Sequence, residues 1–231
     1  MLISWDKLPY EMKNSEVKAY YDILSRRKGS LAVKRIFDII VSFVMLVLLS
    51  WLLLILAIMI KVDSRGPVFY RQVRVTTGNR DFRIFKFRTM VQNADKIGAL
   101  VTSGNDSRIT RVGSKIRKCR LDELPQLINI LKGDMTFVGT RPEVRKYVEK
   151  YSDEMMATLL MPAGVTSLAS INFKDEDELM DSYTSKGMTV DDAYVQKVLP
   201  EKMAYNLEYI KEFSFFKDIK LMFKTVASVV K

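Results

Sequence analysis

Apolar positions along this chain change their spacing repeatedly, and each change predicts a different element. Residues 1 to about 33 interleave Trp5, Leu8, Tyr10, Met12, Val17, Tyr20, Ile23 and Leu24 with charges, which makes an amphipathic segment. Its aromatics and the basic run Arg26, Arg27 and Lys28 suit a membrane interface. A surface helix packed on a domain has the same pattern. Ile39 to Ile60 is then uncharged and almost wholly apolar. At about 1.5 Å per residue, ~22 residues reach ~33 Å, the thickness of a bilayer's hydrocarbon core. A membrane-inserted helix is therefore expected within residues 34–62. Basic residues flank both of its ends (Lys34 and Arg35 before; Lys61, Arg65, Arg71 and Arg74 after). The positive-inside tendency pulls both ends to one face, which a re-entrant hairpin satisfies. Ser42 and Ser50 offer hydroxyls at a break, but no Pro or Gly marks one, so a straight span stays open.

Past Gly66-Pro67 the period shortens to two. VFYRQVRV, the turn Thr76-Thr77-Gly78-Asn79 and DFRIFKFRTM read as a β-hairpin. It carries Arg71, Arg74, Arg80, Arg83, Lys86 and Arg88 among aromatics, a phosphate-facing surface or simply a solvated strand face. Helical spacing returns at Val91–Leu100, at Ser114–Leu121, after Pro125 and over Tyr147–Leu159, and VTSLASINF is expected to be a short β-like or loop stretch. KDEDEL suits a solvated helix start, and Thr189 to Asp192 suits an N-cap with an acidic first turn. A helix with Val195, Val198, Leu199 and Met203 on one side follows, and LMFKTVASVVK closes as an amphipathic stretch. The fold class expected is α/β and helix-rich: a membrane-associated domain with one re-entrant or spanning N-terminal helix, a short β-hairpin and amphipathic surface helices.

Composition narrows the chemistry. The 231 residues hold 37 Lys and Arg against 27 Asp and Glu, a net charge of +10, which suits nucleic acid, anionic lipid or phosphorylated substrates. There is no histidine and only one cysteine, Cys119. Histidine triads, histidine bases and Cys/His zinc sites are thereby excluded, and so is an internal disulfide.

The densest chemistry lies in RKCRLDELPQLINILKGDMTFVGTRPE, Arg117 to Glu143. Leu124, Leu127, Ile128 and Leu131 give it a core-facing side, and Pro125 is tolerated at a helix start. Asp122 and Glu123 would then sit just outside a helix N-terminus, where orphan N–H groups favour anions. Two carboxylates, two arginines and a helix start can hold a divalent ion and a phosphate together. A charged helix surface with a proline kink is the plainer alternative.

The order KRIFDI, a long apolar segment, GPVFYRQ, KFRTM, RITRVG, RLDELPQLINILKGDM, VGTRPE and NLEYI…SFFKDIKLMFKTV closely resembles the monotopic bacterial sugar transferases. These are polyprenyl-phosphate phosphoglycosyl transferases, and the resemblance runs from about Lys34 to the C-terminus; it points to the small, core-only form. It implies a cytoplasmic catalytic domain (63–231) held by a re-entrant helix on the inner face of the bacterial cytoplasmic membrane. It implies transfer of a sugar-1-phosphate from a UDP-sugar to undecaprenyl phosphate, initiating cell-surface glycan synthesis. By resemblance Asp122 is the nucleophile and Glu123 its acidic partner near magnesium, so both are the metal residues. Arg117 binds phosphate, Arg141 and Pro142 form the nucleotide-contacting turn, and Lys86 and Arg88 line the polar site. Membrane lipid is an expected partner, nucleic acid is not, and a homo-oligomer is allowed.

The chain departs from the family pattern at three places. Ser50-Trp51 stands where Ser-Pro is common, Thr140 replaces the first proline of Pro-Arg-Pro, and VTSLASINF lacks the usual Gly and Gln. A carboxylate can attack phosphorus and form an acyl phosphate without any histidine. The competing classes are a membrane-anchored basic module that binds anionic lipid or nucleic acid without catalysis, and an anchored scaffold. Neither accounts for LDELPQ and its arginines.

Overall fold

The computed structural model describes residues 1–94, 106–173 and 176–230. Helix α1 (Ser15–Ser25) starts where the Asn14 side chain accepts from the Val17 N–H at 2.8 Å. Its Val17, Tyr20 and Leu24 are buried, and with Leu8 and Met12 they join a core that includes Met156 to Met161, Tyr209, Ile210 and Phe213. The N-terminal segment thus has a packed face of its own.

The long apolar stretch is two helices. Helix α2 (Lys28–Leu48) and helix α3 (Ser50–Asp63) meet at Leu49 with a 63° bend. Among the described residues no single helix is long and apolar enough to cross a membrane; this bent pair passes that test together. The Ser50 hydroxyl donates to the Val47 carbonyl at 2.8 Å beside the break.

Helix α2 is inverted relative to a helix of a water-soluble core. Its buried residues are Leu31, Lys34, Asp38 and Ser42, while Ile36, Ile40, Phe43, Val47 and Leu48 are more than half exposed. Trp51, Leu54 and Ile58 of α3 extend that apolar surface. The buried polar face is fully engaged. Lys34 Nζ donates to Asp218 Oδ2 (2.6 Å) and to the Val138 carbonyl (2.7 Å), and Asp38 accepts from Thr136 Oγ1 at 2.7 Å. Arg35 donates to the carbonyls of Ile130 and Leu131 at 2.6 and 2.9 Å, satisfying the end of another helix.

Strands β1 (Phe69–Thr76) and β2 (Arg80–Phe87) form the expected hairpin, with Phe69 opposite Phe87 and Thr76 opposite Arg80. Its turn has two left-handed residues, Gly78 (φ 69°) and Asn79 (φ 55°). Phe82 and Ile84 pack on Leu127, Ile130 and Met135. Buried Asn129 locks β2 in place: its Oδ1 accepts from Phe85 N at 2.8 Å and its Nδ2 donates to Arg83 O at 3.0 Å.

Helices α4 (Arg111–Lys118) and α5 (Gln126–Lys132) follow, and α5 ends at Gly133 (φ 85°). Strand β3 (Met135–Val138) then pairs in parallel with β4 (Ala163–Thr166). The two chains approach so closely that a Cβ on Gly164 would lie 2.3 Å from the Gly139 nitrogen.

Between these strands the single helix expected over Tyr147–Leu159 is replaced by short α6 (Arg145–Val148) and a 3-10 segment, Met155–Leu160. Met156 to Met161 are buried at six consecutive positions, which leaves no wet face for an amphipathic helix. VTSLASINF is half strand and half helix α7 (Leu168–Asn172), capped where Ser167 Oγ accepts from Ser170 N at 2.9 Å. Helices α8 (Glu176–Thr184) and α9 (Val190–Ala193) come next, and the Thr189 hydroxyl caps α9. Helices α10 (Leu199–Glu212) and α11 (Phe215–Val230) complete the body. Val198, Leu199 and Met203 are buried, and α11 presents Phe216, Phe223 and Val226 outward. The helix expected over Val91–Leu100 lies mostly outside the described residues; Val91 to Asn93 make a turn.

Candidate active site

Three elements bring charged residues to one cavity of about 810 Å³. The first is α4. The Thr110 hydroxyl accepts from Gly113 N at 3.0 Å and Asp63 Oδ2 accepts from Val112 N at 2.9 Å, so the end of α3 helps cap its start. Ile116 seats the helix against Leu56, Ile60 and Phe87. Arg117 in its last turn faces the cavity. The chain then reverses through Arg120, in the left-handed region at φ 52°, into a 3-10 turn, Leu121–Glu123. Pro125 caps α5, so Asp122 and Glu123 lie just ahead of that helix.

The second element is the hairpin. Strand alternation puts Tyr70, Gln72, Arg74 and Lys86 on one side, and all four line the cavity. Lys86 Nζ meets Glu123 Oε1 at 2.8 Å. Arg88 is buried at the end of β2. Its Nη2 donates to Ser64 O (2.6 Å), Ser64 Oγ (2.9 Å) and Ile60 O (3.3 Å), which closes the C-terminus of α3. Among the described residues its Nε and Nη1 have no hydrogen-bond partner. Burial lowers its pKa, against the opposing pull of Asp63.

The third element is the turn after β3. Arg141 lines the cavity, and its Nη1 donates to Ser170 Oγ at 3.3 Å. Pro142 does not line the cavity; its carbonyl accepts from Arg74 Nη1 at 3.0 Å. Behind it, buried Glu143 accepts from Tyr194 OH at 2.7 Å and lies 3.6 Å from Lys202 Nζ. That network anchors the turn from which Arg141 projects.

Asp122, Glu123, Lys86, Arg88, Arg117 and Arg141 therefore share one cavity, with Pro142 as a backbone support. Arg74 and Gln72 join them, and the two-residue period of β1 carries that signal. Among the described residues the lining has nine Arg and Lys side chains and two carboxylates, Asp122 and Glu123.

The environment separates those two carboxylates. Burial raises the pKa of Asp122, and the charge of Glu123 adds to it; Lys86 and Arg117 pull the other way. Burial pushes Glu123 up as well, but Lys86, Arg141 and Arg120 outweigh it and hold its carboxyl below the usual range. One adjacent carboxylate is thus firmly ionised, while the other is less stabilised as an anion and so more basic. A basic carboxylate among cationic groups can attack phosphorus or bind a divalent cation.

The structure thus has a helix-rich α/β body, an apolar helix pair with its polar face inward and a cation-lined acidic pair, and comparison places the chain in a family. The family model described as "Bacterial sugar transferase" matches residues 29–231, and the chain belongs to that family. Among its relatives is the UDP-N-acetylgalactosamine-undecaprenyl-phosphate N-acetylgalactosaminephosphotransferase of Aeromonas hydrophila. It is 38% identical over 201 residues, covering 86% of this chain and 44% of the relative. The UDP-glucose:undecaprenyl-phosphate glucose-1-phosphate transferase of Klebsiella pneumoniae is 34% identical, covering 85% of this chain and 40% of the relative. The exopolysaccharide production protein ExoY of Rhizobium meliloti is 32% identical, covering 85% and 84%. The chain spans about two fifths of the length of the first two relatives.

Proposed function

We propose that the chain transfers a sugar-1-phosphate from a UDP-sugar to undecaprenyl phosphate, at the cytoplasmic face of the bacterial inner membrane, and so initiates a cell-surface glycan. The observation that carries this is the Asp122–Glu123 pair in a cavity of cations, beside helices whose apolar side faces outward. The activities that name the relatives agree with it. The bent α2–α3 pair would enter the bilayer and return, its apolar surface in lipid and its polar face on the body.

A carboxylate oxygen of Asp122 attacks the sugar-bearing phosphorus of the donor. The bond from that phosphorus to the oxygen bridging the two phosphates breaks, and UMP leaves with the bond's electron pair. An oxygen of undecaprenyl phosphate then attacks the same phosphorus, and Asp122 leaves as a carboxylate. Lys86, Arg117 and Arg141 hold the phosphates and offset their charge, the main demand of phosphoryl transfer. The donor set suits magnesium: two hard carboxylates, with the donor's phosphates completing the shell. Asp122 and Glu123 would hold the ion, which when bound supplies further charge neutralisation.

The test is UMP release from a panel of UDP-sugars, with magnesium, with and without undecaprenyl phosphate. Acceptor-dependent turnover is expected, with a stoichiometric burst and an Asp122-linked phosphosugar adduct when the acceptor is withheld. An adduct that persists in Asp122→Asn refutes the nucleophile. No release from any donor, by protein shown to be folded in lipid, refutes the reaction.

A further inference from the structure

Gln72 carries an oriented donor on the cavity wall. It is half-buried there, on the side of β1 that also bears Tyr70 and Arg74. Its Oε1 accepts from Arg74 Nε at 3.0 Å and from Arg74 Nη2 at 2.7 Å. A guanidinium has N–H donors and no acceptor, so only the amide oxygen can face it. Chemistry therefore sets the orientation of this amide. Arg74 is itself held, its Nη1 donating to the Pro142 carbonyl at 3.0 Å. The Nε2 group, with two N–H donors, is the half of the amide that Arg74 does not occupy, and no acceptor engages it among the described residues.

The surroundings decide what such a donor meets. Ile84 stands opposite Gln72 in the ladder, so Lys86 is its diagonal neighbour on the same side, within reach of long side chains. Lys86 Nζ lies 2.8 Å from Glu123 Oε1. Arg74 ties Gln72 to Pro142, the residue after Arg141. The amide is thus linked on one side to the Lys86–Glu123 pair and on the other to the turn of Arg141. All of these except Pro142 line the cation-rich cavity, which draws in an anion with many acceptor oxygens. A glutamate at this position would hold Arg74 more strongly, through a charge-assisted pair. It would also present a carboxylate oxygen to that anion. Glutamine forgoes the ion pair and presents N–H donors instead.

We propose that Gln72 is a binding residue for the nucleotide donor, its Nε2 donating to a phosphate oxygen of the diphosphate; this rests on the transferase assignment above. A neutral donor complements the cations. It orients one oxygen, and so the phosphorus that bears it, without deepening the charge attraction that the nucleotide product must escape.

The test uses the full chain in lipid nanodiscs and ligand-observed NMR with UDP and with uridine. Gln72→Glu keeps the shape and the acceptor for Arg74 but removes the donor; Gln72→Met removes the donor without adding charge. Both should bind UDP at least about tenfold more weakly, the worth of one hydrogen bond to a charged group, with uridine binding unchanged. The melting temperature of Gln72→Glu should match or exceed the parent's, since its pair with Arg74 is strengthened. Its loss of UDP affinity relative to the parent should persist at high salt, where mere charge repulsion is screened. UDP affinity unchanged in Gln72→Met overturns the assignment, as does a Gln72→Glu loss that vanishes at high salt, or an equal loss of UDP and uridine. If the parent neither binds UDP nor turns over, the transferase assignment fails and takes this contact with it. If the parent turns over normally while both variants bind UDP as it does, only the Gln72 contact fails.

Discussion

Replacing Lys34 by Met probes the joint between the inverted helix and the body. Lys34 and Asp218 are 2–3% exposed at their side chains and 2.6 Å apart. Lys34 Nζ also serves the Val138 carbonyl at 2.7 Å. The other donor in reach among the described residues is the Tyr209 hydroxyl, 3.0 Å from Asp218 Oδ1 and 3.1 Å from the same carbonyl. A hydroxyl has a single proton, so without Lys34 two buried acceptors compete for it. Removing one partner of a buried ion pair costs about 3–5 kcal/mol, because the other charge is left unpaired. In a chain of this size that lowers the melting temperature by roughly 6–20 °C. Replacing both partners, Lys34→Met with Asp218→Leu, should recover most of the loss. The pH dependence has a definite sign. Burial holds Asp218 above the ordinary carboxylate range, with Lys34 the chief counterweight, so losing Lys34 raises its pKa further. The folded variant then binds a proton more tightly than the unfolded chain. Its deficit is largest near neutrality and shrinks as pH falls through that raised pKa toward about 4. Thermal unfolding in nanodiscs across pH measures all of this. A Lys34→Met loss below about 1 kcal/mol, or a double variant as unstable as the two single losses added, refutes the argument.

Further outcomes follow from the site. Asp122→Asn should abolish turnover yet raise stability near neutral pH by about 0.5–2 kcal/mol, since it removes a half-buried charge with a raised pKa; a lower melting temperature would refute that. For the same reason the acid limb of kcat/KM should lie above the ordinary aspartate range, activity falling as Asp122 is protonated; a pH profile flat down to about 4 would contradict it. Gly164→Ala should cost about 1–3 kcal/mol in chemical unfolding, because its Cβ meets backbone of Gly139 and Thr166 that cannot swing aside. Turnover should fall with it, since Gly139 precedes the turn bearing Arg141, and an unaltered variant would remove β3–β4 contact from the account.

The hairpin was legible because its signals are local: alternation, a Gly-Asn turn and eight aligned pairs. The acidic pair and Arg117 were legible for the same reason. The break at Leu49 was not, since neither Pro nor Gly marks it. The 3, 4 and 4 residue steps of Leu31, Lys34, Asp38 and Ser42 showed a stripe, but its partners Asp218 and Thr136 are far along the chain, where periodicity says nothing. The parallel pairing of β3 with β4 is non-local too, and four-residue strands barely establish a period. Family resemblance drew Lys86 and Arg141 toward Asp122, whereas spacing alone left them in separate elements. Nothing about an arginine between Cys and Leu announces a left-handed backbone, so the pivot at Arg120 had no sequence signal.

The cavity is built onto the apolar α2–α3 pair rather than hung below it. Asp63, the last residue of α3, caps α4, whose other end carries Arg117 and leads into the acidic turn. Arg88 closes the same end of α3, from a strand whose Lys86 grips Glu123. Leu56 and Ile60 of α3 pack directly on Phe87 and Ile116. A shift of α3 along its axis would therefore move both walls of the site together, with Asp122 and Lys86 keeping their relation. The lipid-borne acceptor of the proposed reaction requires this coupling. Its phosphate arrives at a height set by the bilayer, and an attacking oxygen must come within about 3–3.5 Å of the phosphorus. By anchoring both walls to one helix end, the fold would fix the depth of the reacting atoms by the same element that enters the bilayer in the proposed arrangement.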